Sequence, residues 1–478
     1  MAAKTTLNAK NLEALGVQRL AELLIELSIG SAAHQRRLRM ELAGNHGSAE
    51  VAREVRKRLS SIARAKTFID WRKVKATKTD LETQRKIIVE TIASHDPVEA
   101  FDLIWQFLAI ADRLFERSDD GNGSLMQSFH QAGIDAGNIA KSAKIDADVL
   151  AEKAFRAIQR NGYGQFDRLI TAMAPALGHK GLEHVKGLFV DWSKEAREKP
   201  AQNDRQIIGW SSAGAIYEDD VYENHKDLTI RIALQEIADA QNDVDAYIAQ
   251  QPEKTRSAPM VAADIANRLI SAGRAEEALA ALDNVEATGW ENVPFEWQLA
   301  RTAALEALAR NDEAQAFRWM CFEQSLNEEH LRAYVRRLPD FDDIEAEERA
   351  FAFAQAFPDA NRGLNFFLRW PSPAQAAKLV INRSGELDGD YYELMTPAAE
   401  MLSTKYPLAA TIALRAMIDF TLESGRSSRY KHAARHLAEC KSLANQIEDF
   451  GKVRAHQDYL ADLQRKHGRK SGFWGLAS

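Results

Sequence analysis

The sequence predicts an all-α protein, an α-solenoid of antiparallel helix pairs that is tetratricopeptide-like in its C-terminal half. Three observations lead there. Ala, Leu, Glu, Arg and Lys are frequent among the 478 residues, while Gly and Pro number only 25 and 12; the frequent residues lose little freedom on entering a helix. Alternating Val, Ile and Thr runs are nearly absent. The closest, Asp227 to Ala233, leads straight into a helical pattern, so no sheet is expected. Paired helical segments also recur with a period in the middle thirties.

The elements follow in order. Leu12, Leu15, Leu20, Leu23, Leu24 and Leu27 form an apolar stripe that Gly30-Ser31 ends. A second helix carries Arg36, Arg37 and Arg39. A third runs from about Ala49 to Ala65 with Val51, Val55, Leu59 and Ile62 on one face. Its other faces hold Arg53, Arg56, Lys57, Arg58 and Arg64. Asp96-Pro97-Val98-Glu99 is a helix start: Asp96 can cap free amides, Pro97 suits the first helical position, and Glu99 completes a capping box. The helix that follows, to about Arg117, holds Phe101, Leu103, Ile104, Trp105, Phe107, Leu108, Leu114 and Phe115, which places it in a core. Ser118 to Ser124 breaks it.

Three helix hairpins follow. Ala262, Ile265, Ala266 and Leu269 turn at Gly273-Arg274 into Ala275, Ala278, Leu279 and Leu282. Trp297, Ala300, Ala304 and Leu308 turn at Asn311-Asp312 into Ala314, Phe317 and Cys321. Ala410, Ala413, Leu414 and Met417 turn at Gly425-Arg426 into Tyr430, Ala433, Ala434 and Leu437. Glu277-Ala278 and Glu313-Ala314 lie 36 residues apart, although the full tetratricopeptide pattern of Trp, Leu, Gly and Tyr is missing. Polar, Pro-containing segments at Glu198 to Asp204 and Gln250 to Thr255 suggest boundaries. The expected organisation is a basic helical segment over residues 1–90, a central helical region over 91–250 and a repeat region over 251–478.

Composition narrows the class. Apolar residues at 45% and charged residues at 27% are globular proportions. Only Cys321 and Cys440 occur, which argues for a reducing, cytoplasmic compartment. Met1 to Leu7 lacks the apolar stretch of a signal peptide, and no run approaches the roughly 20 apolar residues of a membrane span. Net charge is −7, yet residues 1–90 carry 18 Lys/Arg against 10 Asp/Glu, leaving −15 for the remainder. Such asymmetry points to nucleic acid, an acidic partner, or docking of one part on the other.

Few residues suggest chemistry. His432, His436 and Cys440 are spaced i, i+4 and i+8, a weak metal candidate. The row drifts around the helix, and no Glu follows the first His as a metalloprotease motif requires. From Asp120 the loop lacks the Gly and Glu that calcium loops place sixth and twelfth. Gly209-Trp210-Ser211-Ser212-Ala213 lacks the second Gly of a nucleophile elbow. Gly121-Asn122-Gly123 and Gly162-Tyr163-Gly164 begin dinucleotide-like patterns that stop. Gly468 to Ser471 lacks the spaced first Gly of a phosphate loop. The reading is therefore no catalytic residue and no cofactor. Arg36, Arg37, Arg39, Arg53, Arg56, Lys57 and Arg58 form the candidate surface for nucleic acid or an acidic partner. Phe473 and Trp474 either cap the last hairpin or form an exposed contact.

The order of several segments resembles a known family. They are Phe68-Ile69-Asp70-Trp71-Arg72, Phe115 to Gly123, Ala233 to Ala249, Ile265 to Leu282, Asn311 to Leu338 and Tyr406 to Leu476. Together they resemble the helical region after the zinc finger of bacterial SWIM-type zinc-finger proteins, and a related uncharacterised bacterial family without the finger. The finger needs Cys-x-Cys and Cys-x-His, which this chain lacks, so zinc-dependent nucleic-acid binding does not carry over. The resemblance implies a right-handed array of antiparallel helices. The function expected is a non-enzymatic scaffold for a protein or peptide partner, with nucleic-acid binding through the basic N-terminal helices as the alternative.

Overall fold

The computed structural model describes residues 7–44, 47–195, 205–211, 214–285 and 293–477. Met1 to Thr6 and the proposed boundary at Glu198 to Asp204 lie outside the described residues, as do Ser212 and Ala213. The chain divides into two compact units, Met1–Pro252 and Glu253–Ser478.

The first unit contains α1 (Ala9–Glu13), α2 (Val17–Ser28), α3 (Ala32–Gly44), α4 (Ser48–Arg64) and α5 (Trp71–Lys86), which continues as a π-helical turn over Ile87–Ile92. Then come α6 (Pro97–Ala109), α7 (Ala111–Phe115), α8 (Ser124–Ala143), α9 (Ala147–Gln159) and α10 (Leu169–Lys194). Strands β1 (Ile207–Ser211) and β2 (Gly214–Tyr217) precede α11 (Glu218–Gln241) and α12 (Val244–Ala249). One apolar core runs from Val51 to Ile237. The aromatic helix read from the sequence ends early, at Ala109, and resumes as α7. Its residues Phe101, Leu103, Ile104, Phe107 and Leu108 are buried as expected. Asp96 accepts from the Glu99 amide at 3.0 Å. The reciprocal half of the expected capping box is missing, because the Glu99 carboxylate pairs with Arg56 instead. Helices α8 and α10 meet backbone to backbone at Gly137, where a Cβ would lie 2.0 Å from the Ala172 carbonyl oxygen.

The expectation of no sheet is corrected by β1 and β2, a two-stranded antiparallel hairpin pairing Trp210 with Ala215 and Ile207 with Tyr217. Five and four residues are too few for alternation to stand out beside long helical patterns. Arg205 fixes its base, stacking 3.9 Å over the Tyr217 ring and pairing with Asp219 at 2.9 Å. The strand-like run at Asp227 to Ala233 lies inside α11, as the sequence indicated.

The second unit opens with α13 (Glu253–Arg256), α14 (Pro259–Ser271), α15 (Ala275–Asp283), α16 (Phe295–Ala307), α17 (Asn311–Ser325), α18 (Glu328–Val335) and α19 (Asp342–Ala356). It closes with α20 (Ala360–Arg369), α21 (Pro373–Asn382), α22 (Tyr392–Leu402), α23 (Pro407–Glu423), α24 (Tyr430–Ala444), α25 (His456–His467) and α26 (Ser471–Ala477). Helices pack on the next in sequence and repeatedly on the next but one: α14 on α16, α19 on α21, α20 on α22, α21 on α23, α24 on α26. That pattern is a solenoid of antiparallel pairs. Phe473 is fully buried, against Tyr430, so it belongs to the core.

The three hairpins read from the sequence end their first helices identically. Gly273, Ala309 and Gly425 have φ of 77°, 58° and 64°. The following amides, of Arg274, Arg310 and Arg426, donate to Leu269, Leu305 and Thr421 carbonyls at 2.8, 2.9 and 3.0 Å. This is the Schellman termination. The 36-residue period extends to the side chains: Arg274 pairs with Glu277 at 2.7 Å and Arg310 with Glu313 at 2.5 Å.

Two predictions follow from these helix ends and cores. Ala309 carries a Cβ in the left-handed region, a conformation that costs an L-residue about 1–2 kcal/mol. After the entropy that glycine adds to the unfolded chain, Ala309→Gly should raise stability by about 0.5–1 kcal/mol, read as a higher urea midpoint. His330 is buried, donates from Nε2 to the Gln298 side-chain oxygen at 2.7 Å, and is held down to about 4, first by burial and then by Arg318. The unfolded imidazole protonates near 6.5, so the contribution is whole above that pH and is lost as pH falls towards 4. Urea titrations should show a loss of about 3 kcal/mol across that window, and His330→Gln should flatten it.

Candidate functional site

The segment joining α9 to α10 is held by its own side chains. The Asn161 side chain accepts from the Phe166 amide at 2.9 Å and donates to Asp167 at 2.7 Å. Gln165 accepts from the Tyr163 amide and donates to Asp112 at 2.6 Å. His130 Nε2 donates to the Gly164 carbonyl at 2.9 Å. Gly164, at φ 84°, makes the turn. Arg168 then sits at φ 62° before α10, and its amide needs an acceptor. Glu236 of α11 supplies it, accepting from the Arg168 amide at 3.2 Å and the Thr171 amide at 3.1 Å. A carboxylate from another helix thus caps α10. Burial pushes the Glu236 carboxyl above its usual range, against the pull of those donors.

Between this loop and α11 lies an open cleft of about 250 Å³. Ile158, Phe166 and Ile170 form one wall, and Leu228, Ile232 and Ala233 the other, with His225 and Thr229 at the rim. Leu228 and Ile232 are exposed. The carboxylates here are engaged: Glu236 by α10, Asp167 by Asn161. The cleft offers apolar contact area and a rim imidazole, a constellation suited to holding an apolar side chain. Sequence reading noticed Gly162 and Gly164 only as an interrupted dinucleotide-like pattern. The cleft pairs segments 158–170 and 225–236, which no local periodicity links.

The candidate basic residues fall into two groups. On α3, Arg37 and Arg39 are exposed and Arg36 is half-buried. On α4, all four pair with carboxylates: Arg53 with Glu50, Arg56 with Glu99, Lys57 with Glu54, Arg58 with Asp80. After α4, Phe68 and Trp71 are exposed, and the Arg72 guanidinium lies 5.0 Å from the Trp71 ring. Arg117 pins this turn by donating to the Thr67 carbonyl at 2.8 Å.

His432, His436 and Cys440 do not converge. His432 is exposed, while His436 and Cys440 are buried. The Cys440 thiol faces the Thr411 carbonyl at 3.9 Å, and burial pushes it up to about 12. Among the described residues, no group of three or more His, Cys, Asp or Glu is placed to hold a metal ion. Ser211 lies on β1 itself, and Asp120 caps α8, accepting from the Leu125 and Met126 amides at 2.9 and 3.2 Å. No described helix is long and apolar enough to cross a membrane.

No curated protein matches the chain. Among solved structures, a "Circular tandem repeat protein with novel repeat topology and enhanced subunit contact surfaces" aligns over 98% of this chain and 94% of its own, at 14% identity and a TM-score of 0.12. That superposition is too loose to carry a structural argument. The profile described as "Family of unknown function (DUF6880)" matches residues 2–476, so the chain belongs to that family.

Proposed function

We propose that the chain is a non-enzymatic interaction scaffold that takes a protein or peptide partner into the cleft between the Asn161–Asp167 loop and α11. The carrying observation is an open cleft along which Leu228 and Ile232 of α11 are exposed, and whose acidic groups already hold the loop and the α10 N-terminus. An apolar side chain of a partner can enter without displacing any of those bonds. The resemblance to the helical region of bacterial SWIM-type proteins supports a scaffold over an enzyme. Two buried free cysteines support a cytoplasmic setting.

A peptide-display selection against the full chain tests this. Enriched peptides should bind the wild type and lose at least tenfold affinity to Leu228→Asp/Ile232→Asp, with circular dichroism unchanged. Selection of no peptide, or binding indifferent to both substitutions, overturns the proposal.

The second reading is nucleic-acid binding through the basic N-terminal helices. Exposed Phe68, Trp71 and Arg72 favour it, since stacking platforms beside cations suit single strands. The ion pairs of α4 weigh against a phosphate surface there. Arg56→Glu/Arg58→Glu should lower stability by about 1–3 kcal/mol, because the Arg58–Asp80 pair is mostly buried and Asp80 and Glu99 each lose a cationic partner and face a carboxylate instead. Retention on single-stranded DNA at low salt should not change. Retention that collapses while the melting temperature holds would establish the nucleic-acid reading instead.

A further inference from the structure

We propose that α23, α24 and α25 together form a binding site for a small oxyanion, a carboxylate or phosphate group held by Arg415. Arg415 stands on α23 and is 6% exposed. Its guanidinium lies at the first turn of α25. Nη1 donates to the Arg454 carbonyl at 2.7 Å, and the central carbon lies 4.2 Å from the centre of the Tyr459 ring. Nε and Nη2 are buried and have no hydrogen-bond partner. These two nitrogens form one edge of the planar fork, and their parallel N–H bonds match two oxygens of a carboxylate or phosphate. A guanidinium stays charged inside proteins, and a buried charge without a partner is destabilising. Burial accordingly pulls the Arg415 pKa below its usual value.

The neighbours of Arg415 do not supply the counter-charge. The Cys440 thiol is neutral, pushed up to about 12 by burial, and a thiol sulfur is a weak acceptor. Asp419 is engaged by the Tyr459 hydroxyl at 2.7 Å, and burial pushes its carboxyl above the usual range. Asp458, the acidic residue in the first turn of α25, is exposed. Further donors gather instead. Thr411, one turn before Arg415, is fully buried with an unpartnered Oγ1, and the His456 Nδ1 is buried and unpartnered too. Helix α25 starts at His456, and its N-cap, Ala455, offers no side-chain acceptor, so the positive end of the helix dipole carries no cap there. Burial first, then Arg415 and Lys441, hold the His456 imidazole below its usual range. Lys441 is exposed and His456 half-buried, so the site meets solvent on that side. Water would satisfy the donors but not the charge. The set of guanidinium edge, hydroxyl, imidazole, helix N-terminus and ammonium fits an anion.

Inorganic phosphate and acetate are the probes, each replacing chloride at constant ionic strength on the full chain. At least one should raise the urea midpoint saturably in the millimolar range. The His456 ring protons should then titrate at higher pH, because the anion offsets Arg415 and Lys441. Arg415→Lys keeps the charge but loses the fork, and should weaken the anion at least tenfold. Arg415→Met removes the buried charge, so without the anion it should unfold no earlier than wild type, and the protection should vanish. Lys378→Gln on α21, an exposed control, should leave the anion effect unchanged. If Arg415→Met does not fold, Arg415→Lys and the His456 titration decide. Either preference, phosphate or acetate, supports the proposal and identifies the group. Stabilisation that climbs without saturation is the general effect of excluded salts and overturns it. So does saturable protection that persists undiminished in Arg415→Lys, or the absence of any effect from both anions.

Discussion

The last carbonyls of each helix must find donors, and the way this chain supplies them sets its architecture. A helix ends with four carbonyls that have no partner within it. At Gly273, Ala309 and Gly425 a left-handed residue folds the chain back so that the next amide reaches a carbonyl five residues earlier. Lys144 and Asn242 do the same in the first unit, where the Ile145 and Asp243 amides donate to Ala140 and Ala238. This termination reverses direction within a few residues, so the next helix starts antiparallel and close. The Ala-rich faces follow from that proximity: Ala262, Ala266 and Ala278 are buried where larger side chains would separate α14 from α15.

That constraint explains what was legible. The hairpins turning at Gly273 and Gly425 were readable because both signals, the small-residue stripe and the turn residue, sit within one stretch of chain; in the middle hairpin the turn read at Asn311-Asp312 lies at Ala309, and Asn311 already opens α17. The 36-residue spacing of Glu277 and Glu313 was visible as repetition, and the Arg274 and Arg310 pairs give it a physical cause. The apolar face of α4 was likewise plain from Val51, Val55, Leu59 and Ile62, all buried. The cleft was not legible. Its capping carboxylate, Glu236, acts on amides 65 and 68 positions away, and periodicity carries no information at that range. The β-hairpin escaped for a different reason, since its two strands are shorter than the window in which alternation is distinguishable from helical spacing.

Charge counts were a poorer guide than patterns. The N-terminal excess of Lys and Arg is real, yet sequence position does not say which cations meet carboxylates. Arg56 reaches Glu99 and Arg58 reaches Asp80, across 43 and 22 positions. Arg85 meets both Glu82 and Asp135. These contacts turn Arg56, Arg58 and Arg85 into cross-links between helices, while Arg37 and Arg39 of α3 and Arg53 and Lys57 of α4 are the exposed members of the candidate set. The +8 of residues 1–90 therefore describes the segment but not its surface potential.

Arginine also returns to the problem of the helix ends. Arg362 lies 5.3 Å from the Phe357 ring while donating to the carbonyl of Ser325, the last residue of α17. Arg332 lies 4.7 Å from Trp370 and donates to the carbonyl of Arg369, the last residue of α20. Arg383 donates to the Gln355 and Phe357 carbonyls at the end of α19. A guanidinium is flat enough to stack and has donors around its edge, so one side chain can cover an aromatic ring and satisfy helix-end carbonyls, including those of α19 and α20, which no left-handed residue follows. In the first unit a lysine combines the same roles: Lys226 lies 5.8 Å from the Trp192 ring and donates at 2.6 Å to the carbonyl of Glu195, which follows α10. Helix termination and inter-helix adhesion in the second unit are thus partly one mechanism, in which the donors missing from the backbone arrive on arginines of neighbouring helices.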